Sequence, residues 1–513
     1  MTTRTEVNLA RVFAGTLPLN VAVQVLSFVA WAAFAHVLGA STQTDAYLLG
    51  LSVPALAYGI LLTAIRVGVI PGLTEEVAKD DAAGARAANE LFAAAILASA
   101  ALGLALTAIA VAAAPLVLRS DPDLVFKTRL TIVELSPLAV FGAGTGVLSA
   151  ILAVRKSFGP AVAVLAFDPL FRIFLLFAVG DRLGVQSLII ANLAGAAAAV
   201  AVLWLMVRRR GMPLRIIRPA PTAFVRSVIV VSAPLLISAS VMTVNPIIDR
   251  TMAADVSAGA VTALDLGMRL VPGGFFVALV VAPLTATWAA RKTQEGWPAI
   301  QESMQRALIT SAVVILPLVV IGIVLRDEAV TFVYHGGAFS GHAAAQTTAV
   351  FGVSLLGLPA QVLSVIFTTL FIVQRETIVP MKIGFVNVIL NVALNFTLRP
   401  WFGVAGIALS TTLTYAILNV AQVTAARRRW GSFLTGHIAV PLIGLAGALL
   451  LGGMATMGVQ QLLPTAGSRF QALTVLLIAG GAGLVVYSAA AFVGRAIIGG
   501  NAKSVLMRSR MEV

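Results

Sequence analysis

The sequence contains no cysteine, which excludes disulfides, thiolate metal centres and cysteine nucleophiles. It has only four histidines, His36, His335, His342 and His437, scattered without metal-ligand spacing. No glycine-rich phosphate loop followed by lysine is present. The expectation is a protein that is not an enzyme and carries no cofactor. Charge is equally scarce: 11% of the residues are charged and 59% hydrophobic, against roughly 25% charged in an ordinary soluble domain. So little charge cannot cover the surface of a water-soluble fold of 513 residues.

What the chain does have is a succession of apolar runs, each of about 20 to 27 residues, enough to span a hydrocarbon core of about 30 Å. The first follows Arg4, Glu6 and Arg11 and extends to about Leu38. It is too long for a signal-peptide core, lacks a small-residue cleavage pattern, and reads as a retained first span. Hydropathy and breaks predict about fourteen spans, near 14–38, 46–73, 88–115, 131–153, 160–180, 185–207, 222–248, 259–289, 304–325, 345–373, 378–398, 403–424, 435–458 and 471–497.

With the N-terminus inside, about 24 of the 35 Lys and Arg fall on the cytoplasmic side and about 8 on the other. Arg208-Arg209-Arg210, Arg427-Arg428-Arg429 and the tail with Lys503, Arg508 and Arg510 are all cytoplasmic in this reading. Both termini are therefore expected inside, and the net charge of +14 requires no nucleic acid.

Self-similarity at an offset near 220 organises the chain. Arg155-Lys156-Ser157-Phe158-Gly159-Pro160 corresponds to Arg375-Glu376-Thr377-Ile378-Val379-Pro380, Gly184-Val185 to Gly403-Val404, and Arg208-Arg209-Arg210 to Arg427-Arg428-Arg429. At an offset near 217, Asp45-Ala46-Tyr47-Leu48-Leu49-Gly50 lies over Thr262-Ala263-Leu264-Asp265-Leu266-Gly267. An even number of spans separates the copies, so the halves share one topology. The expected architecture is all-α and polytopic. Residues 1–215 and 216–430 form two six-helix lobes related by a pseudo-two-fold along the membrane normal, and 431–513 hold two further helices and a basic tail. Such repeats place the binding site between the halves near the midplane.

Several stretches carry a family resemblance. Tyr334-His335-Gly336-Gly337-Ala338-Phe339-Ser340, Gly357-Leu358-Pro359-Ala360, Pro380-Met381-Lys382 leading into Asn391-Val392-Ala393-Leu394-Asn395, Gly403 through Thr412, and Asp249-Arg250 together resemble the MurJ/MviN-type lipid II flippases. These belong to a superfamily of two-lobed exporters of drugs, lipid-linked oligosaccharides and polysaccharides. The resemblance covers roughly residues 15 to 425 in topology and is most specific between about 330 and 420. It implies that the last two helices line a groove for a lipid tail. The first half departs from the family. Its first span usually carries several basic residues, where this chain has Gln24 and, further on, His36; its second usually has a cation shortly before its proline, where Ser52 precedes Pro54. By the repeat, Ser52 is the counterpart of Arg269, so one of two symmetry-related cations is absent.

A lipid-linked glycan brings a pyrophosphate and a polar sugar through a region where each unpaired charge costs several kcal/mol. Guanidinium suits that task because its planar fork grips phosphate oxygens and stays charged when buried. Arg66, Arg172 and Arg269 lie within predicted spans. Arg269 and Arg66, with Gln24 and Ser52 at the matching family positions, are the candidate substrate-binding residues. Arg172 follows Asp168 by four residues and reads as an intrahelical ion pair, an alternative that also applies to Arg269 after Asp265. The resemblance further implies an ion site of Asp249, Asn391, Asn395 and Thr411, with Asn395 where some relatives have a carboxylate; the alternative is interhelical hydrogen bonding. Pro18 and Pro272-Gly273-Gly274 are expected to break or kink their helices.

The reading that results is a flippase of the bacterial cytoplasmic membrane. It would move an undecaprenyl-pyrophosphate-type cell-wall or polysaccharide precursor by alternating access, driven by Na⁺ or the membrane potential. Partners are the lipid-linked glycan, membrane lipids and cell-wall synthesis enzymes. A cation-coupled small-molecule exporter of the same superfamily and a non-transporting scaffold of an envelope-synthesis complex remain open alternatives.

Overall fold

The structure, a computed structural model, describes residues 9–118, 121–212, 214, 222–272, 288, 297–376, 378–431 and 439–511. Among the described residues every regular element is helical, with an isolated β-bridge between Gly336 and Phe339. Eleven described helices are long and apolar enough to cross a membrane, against the fourteen spans expected. The origins of the difference are identifiable. Predicted spans 378–398 and 403–424 form one helical element, Ile378–Trp430, bent at Gly403. Span 222–248 is the helix Ala223–Ala254, whose side chains over 231–243 are not among those described. Span 259–289 and the Pro272-Gly273-Gly274 break lie largely outside the described residues, whereas the first helix continues through Pro18.

The chain divides into two compact units, Met1–Thr262 with Gly336–Ser340, and Ala263–His335 with Gly341–Val513. The first is built from α1 (Leu9–Leu38), α2 (Thr42–Lys79), α3 (Asp81–Val117), α4 (Pro122–Leu135), α5 (Leu138–Val154), the short α6 (Gly159–Ala163), α7 (Phe167–Leu183), α8 (Gln186–Arg209), α9 (Ala223–Ala254) and the first residues of α10 (Ala260–Arg269).

Helix α2 is the axis of this unit and packs against α3, α4, α5 and α9. It starts where Ser41 and Thr44 form a reciprocal capping box, satisfying amide groups that an uncapped helix would leave open. At 38 residues it is roughly 57 Å long, well beyond the bilayer core, so the predicted limits 46–73 were short at both ends. It stops at Asp80, whose carboxylate then caps α3 through the amide of Ala83.

Helix α5 is buried along nearly its whole length and meets α2 through glycines. A β-carbon on Gly142 would lie 2.6 Å from the carbonyl oxygen of Tyr58, and one on Gly146 3.1 Å from that of Leu62. This small-residue seam lets two backbones approach where no aqueous hydrophobic effect drives helices together. Val69, Leu73, Leu91, Val147, Ile151 and Leu203 form the adjoining core. On the outside of α3, Leu104, Ile109 and Leu116 are exposed, an apolar surface suited to lipid. Within the same unit, the amide of Ala338 donates to the carbonyl of His36 at 2.8 Å.

The second unit holds the rest of α10, α11 (Trp297–Val324), α12 (Arg326–Tyr334), α13 (Gly341–Val373), α14 (Ile378–Trp430), α15 (Ala439–Leu462) and α16 (Arg469–Met511). Its core gathers Ile315, Leu358, Val362, Ile366, Phe367, Leu370 and Phe371. The ring of Trp430 lies 5.6 Å from that of Trp297 and 5.2 Å from that of Phe371. Helices α15 and α16 pack on each other, and the Tyr487 hydroxyl on α16 donates to the carbonyl of Val313 on α11 at 2.7 Å.

The repeat is visible in backbone angles. The two non-glycine residues with positive φ among those described are Lys156 (φ 58) and Arg375 (φ 63). Each is followed by an amide that closes the same helix-terminating bond, Ser157 to Leu152 and Glu376 to Phe371, both at 2.9 Å. Gly184 has φ 54 and ψ −130, Gly403 φ 56 and ψ −132, a region that side chains with a β-carbon rarely enter. Both pairs are 219 residues apart (156 to 375, 184 to 403), so the backbone aligns Arg375 with Lys156 rather than with Arg155.

Candidate functional site

In the first unit the polar groups of α2 are arranged along its length. Directly after Thr44 of the capping box, Asp45 is buried. Its carboxylate accepts from the amides of Gly259 and Thr262 at 2.7 and 2.8 Å and from the Thr262 hydroxyl at 2.7 Å. It thereby caps the start of α10 from another helix, a favourable place for an anion. Asp45 and Thr262 are the residues that the repeat places in register.

Two turns further along α2, the Ser52 hydroxyl donates to the carbonyl of Leu48 at 2.8 Å and accepts from Nη1 of Arg250 at 2.9 Å. Arg250 is on α9, one residue after the buried Asp249. The structure thus sets a guanidinium beside the position where the sequence comparison of the two halves showed a missing cation. Arg250 was not among the candidate substrate-binding residues. Its signal was the Asp249-Arg250 doublet closing an otherwise apolar stretch, whereas the 198 residues between it and Ser52 hide the pairing from local inspection. Gln24 is exposed on α1. Arg66 belongs to α2, but its side chain lies outside those described.

Arg172 is held differently. Its Nε donates to Asp168 at 3.1 Å and its Nη2 to Asn192 Oδ1 at 2.8 Å, while the guanidinium carbon sits 5.0 Å from the centroid of the Trp31 ring. Asn192 in turn donates to the Tyr47 hydroxyl at 2.6 Å. The expected ion pair is present and is part of a network reaching α1, α2, α7 and α8.

In the second unit, Arg269 donates through Nε to Asp265 at 2.5 Å, with 35% of its side chain accessible and Asp265 8%. A nearly buried carboxylate thus supports a side chain that is itself partly accessible. Beneath it the hydroxyl of buried Tyr334 donates to the carbonyl of Leu266 at 3.1 Å, fixing α12 on α10. Three of the four residues of the expected ion site form one chain of bonds: Asn395 Nδ2 donates to Asn391 Oδ1, and Asn391 Nδ2 to Thr411 Oγ1, each at 3.1 Å. Asn391 and Asn395 are buried. Asp249 belongs to the first unit.

Comparison with known proteins agrees with this architecture. The family model for the lipid II flippase MurJ matches residues 34–478. The chain is 26% identical over 325 residues to a probable lipid II flippase MurJ of Rhizobium meliloti (strain 1021), covering 62% of this chain and 59% of that protein. It is 28% identical over 311 residues to one of Rhizobium tropici, covering 59% and 57%. The matched region therefore spans under two thirds of these curated relatives. Among solved structures, a lipid II flippase MurJ in an inward closed conformation superposes with a TM-score of 0.74 at 17% identity, over 94% of this chain and 98% of that one. An inward-facing multidrug resistance transporter of the MATE family and MOP superfamily gives 0.64 at 14% identity, over 81% and 98%. At these identities the superpositions establish the fold, and the family match establishes membership: the chain belongs to the lipid II flippase MurJ family.

Proposed function

We propose that this protein moves a lipid-linked glycan of the undecaprenyl-pyrophosphate type across the bacterial cytoplasmic membrane by alternating access, with both termini cytoplasmic. The observation that carries the reading is the Arg250 guanidinium anchored on Ser52, beside the place where the family's second helix bears a cation. Arg269 on its Asp265 support is the second candidate cation for an anionic headgroup. Gln24 and Arg66 would add polar and cationic contacts along α1 and α2. A cell-wall synthesis enzyme that supplies or consumes the glycan is the expected partner.

The driving force follows from charge. Moving an anionic headgroup toward the positive outer face gains about 2.3 kcal/mol per unit charge per 100 mV. Na⁺ is the second contributor. Asn391, Asn395 and Thr411 supply neutral oxygen donors of the hard kind such an ion takes, and they already lie in one hydrogen-bonded chain. These residues fit the ion in kind. When bound, it would contribute one positive charge, and the side chains would turn their oxygens from each other toward it.

Native mass spectrometry of the purified chain with a pyrophosphate-linked lipid tests the proposal. Saturable binding that weakens in Arg250→Ala and Arg269→Ala supports it; binding equal to that of a neutral lipid, or unaffected by both substitutions, contradicts it.

A further inference from the structure

The spacing of 219 residues shared by the Lys156 and Arg375 turns and by Gly184 and Gly403 reaches further than the turns that display it. Applied to the network around Arg172, it carries Asp168 to Asn387, Arg172 to Asn391 and Asn192 to Thr411. The contact between the second and third members is kept in both copies. Arg172 Nη2 meets Asn192 Oδ1 at 2.8 Å in the first unit, and Asn391 Nδ2 meets Thr411 Oγ1 at 3.1 Å in the second. Both contacts join side chains 20 residues apart across a glycine of the same unusual conformation, Gly184 in one case and Gly403 in the other.

The two copies therefore share the contact between their second and third members and differ in chemistry. In the first, a permanently charged guanidinium is surrounded by a carboxylate (Asp168), an amide oxygen (Asn192) and the face of an indole (Trp31). Those are the partners a cation takes: opposite charge, hard oxygen and π-electron density. In the second, the corresponding residues Asn387, Asn391 and Thr411 are all neutral. Arginine remains protonated when buried, so the first copy holds a charge that no ion gradient can remove.

We propose that the Asp168–Asn192–Trp31 cluster is a cation site occupied by a tethered ligand, the Arg172 guanidinium. In this arrangement the first repeat is permanently filled, and α1, α7 and α8 are bolted together by a cation that never leaves. The ligand class for the first site, once vacated, is a small guanidinium-type cation. This inference concerns the repeat itself and does not depend on what the protein transports.

The test is thermal unfolding of the full chain in detergent for wild type, Arg172→Ala and the double variant Arg172→Ala/Asp168→Asn. Each is measured with ethylguanidinium chloride and with sodium chloride at equal ionic strength. Arg172→Ala should lower Tm, and ethylguanidinium should restore half or more of the loss in a saturable manner, with no such shift in wild type or in the double variant. Absence of a saturable shift, or an equal shift in the double variant, overturns the proposal. Should Arg172→Ala fail to fold, a transplant decides. Asn391→Arg alone should lower Tm, because it buries a charge without its carboxylate, and adding Asn387→Asp should return Tm toward wild type. A double variant no more stable than Asn391→Arg would show that the two sites are not equivalent.

Discussion

Replacing Arg250 by alanine removes the donor that the structure places on Ser52 at 2.9 Å. A hydrogen bond to a charged group contributes about 1.5–3 kcal/mol, and each 1.36 kcal/mol is tenfold in rate. If the same guanidinium binds the moving pyrophosphate, Arg250→Ala should slow transport roughly ten- to hundred-fold. Ser52→Ala keeps the cation and loses only its anchor, a hydroxyl that also bonds Leu48; the cost should sit at the low end of that range, about 1.5 kcal/mol or roughly tenfold. Arg250→Lys should fall between wild type and alanine, because an ammonium is charged but has no bidentate fork. The assay is the rate at which a labelled lipid-linked glycan changes leaflet in proteoliposomes, with each variant's Tm measured beside it to separate a folding loss from a transport loss. An Arg250→Ala protein that folds and transports at the wild-type rate refutes the reasoning.

Other consequences follow from the packing and the topology. Gly142→Leu would drive a side chain into the Tyr58 backbone, where even a β-carbon comes within 2.6 Å; thermal unfolding should show a loss of about 1–3 kcal/mol or more. Gly403→Ala and Gly184→Ala, at φ 56 and φ 54, should each cost about 1–3 kcal/mol by the same measurement, and similar losses at the two positions would follow from their shared conformation. Reporter fusions should place the loops after Arg208-Arg209-Arg210 and after Arg427-Arg428-Arg429 on the same, cytoplasmic side; opposite sides would be incompatible with a repeat of an even number of spans.

Hydropathy made the membrane class legible, and the matched Gly184-Val185 and Gly403-Val404 pairs made the repeat legible, because both signals are local: apolar runs of spanning length, and short motifs that terminate helices. Local signals also explain the shortfalls. A window of mean hydropathy cannot see that Ser136 and Pro137 separate α4 from α5 inside one apolar stretch, or that α2 continues to Lys79 beyond its apolar part. The Arg172 pair was visible because Asp168 is one helical turn away, while its contacts to Trp31 and Asn192 come from other helices. Arg250 on Ser52, and Asp45 capping α10 over 214 and 217 residues, depend on tertiary approach alone. The repeat aligns Asp45 with Thr262, but no spacing rule in the sequence encodes a contact between them or between Ser52 and Arg250. The Gly142 and Gly146 seam is an intermediate case: its four-residue interval is legible as a small-residue motif, and only the structure shows that α2 is what it admits.

The central claim is that this chain transfers a pyrophosphate-linked glycan between leaflets, and leaflet exchange in proteoliposomes tests it most directly. With the purified chain reconstituted and a labelled lipid-linked glycan in one leaflet, the label should become accessible from the other side. Transfer should be faster with a membrane potential positive on the receiving side, and absent in the Arg250→Ala/Arg269→Ala double variant. Transfer no faster than in protein-free vesicles, at a potential of either sign, would contradict the account.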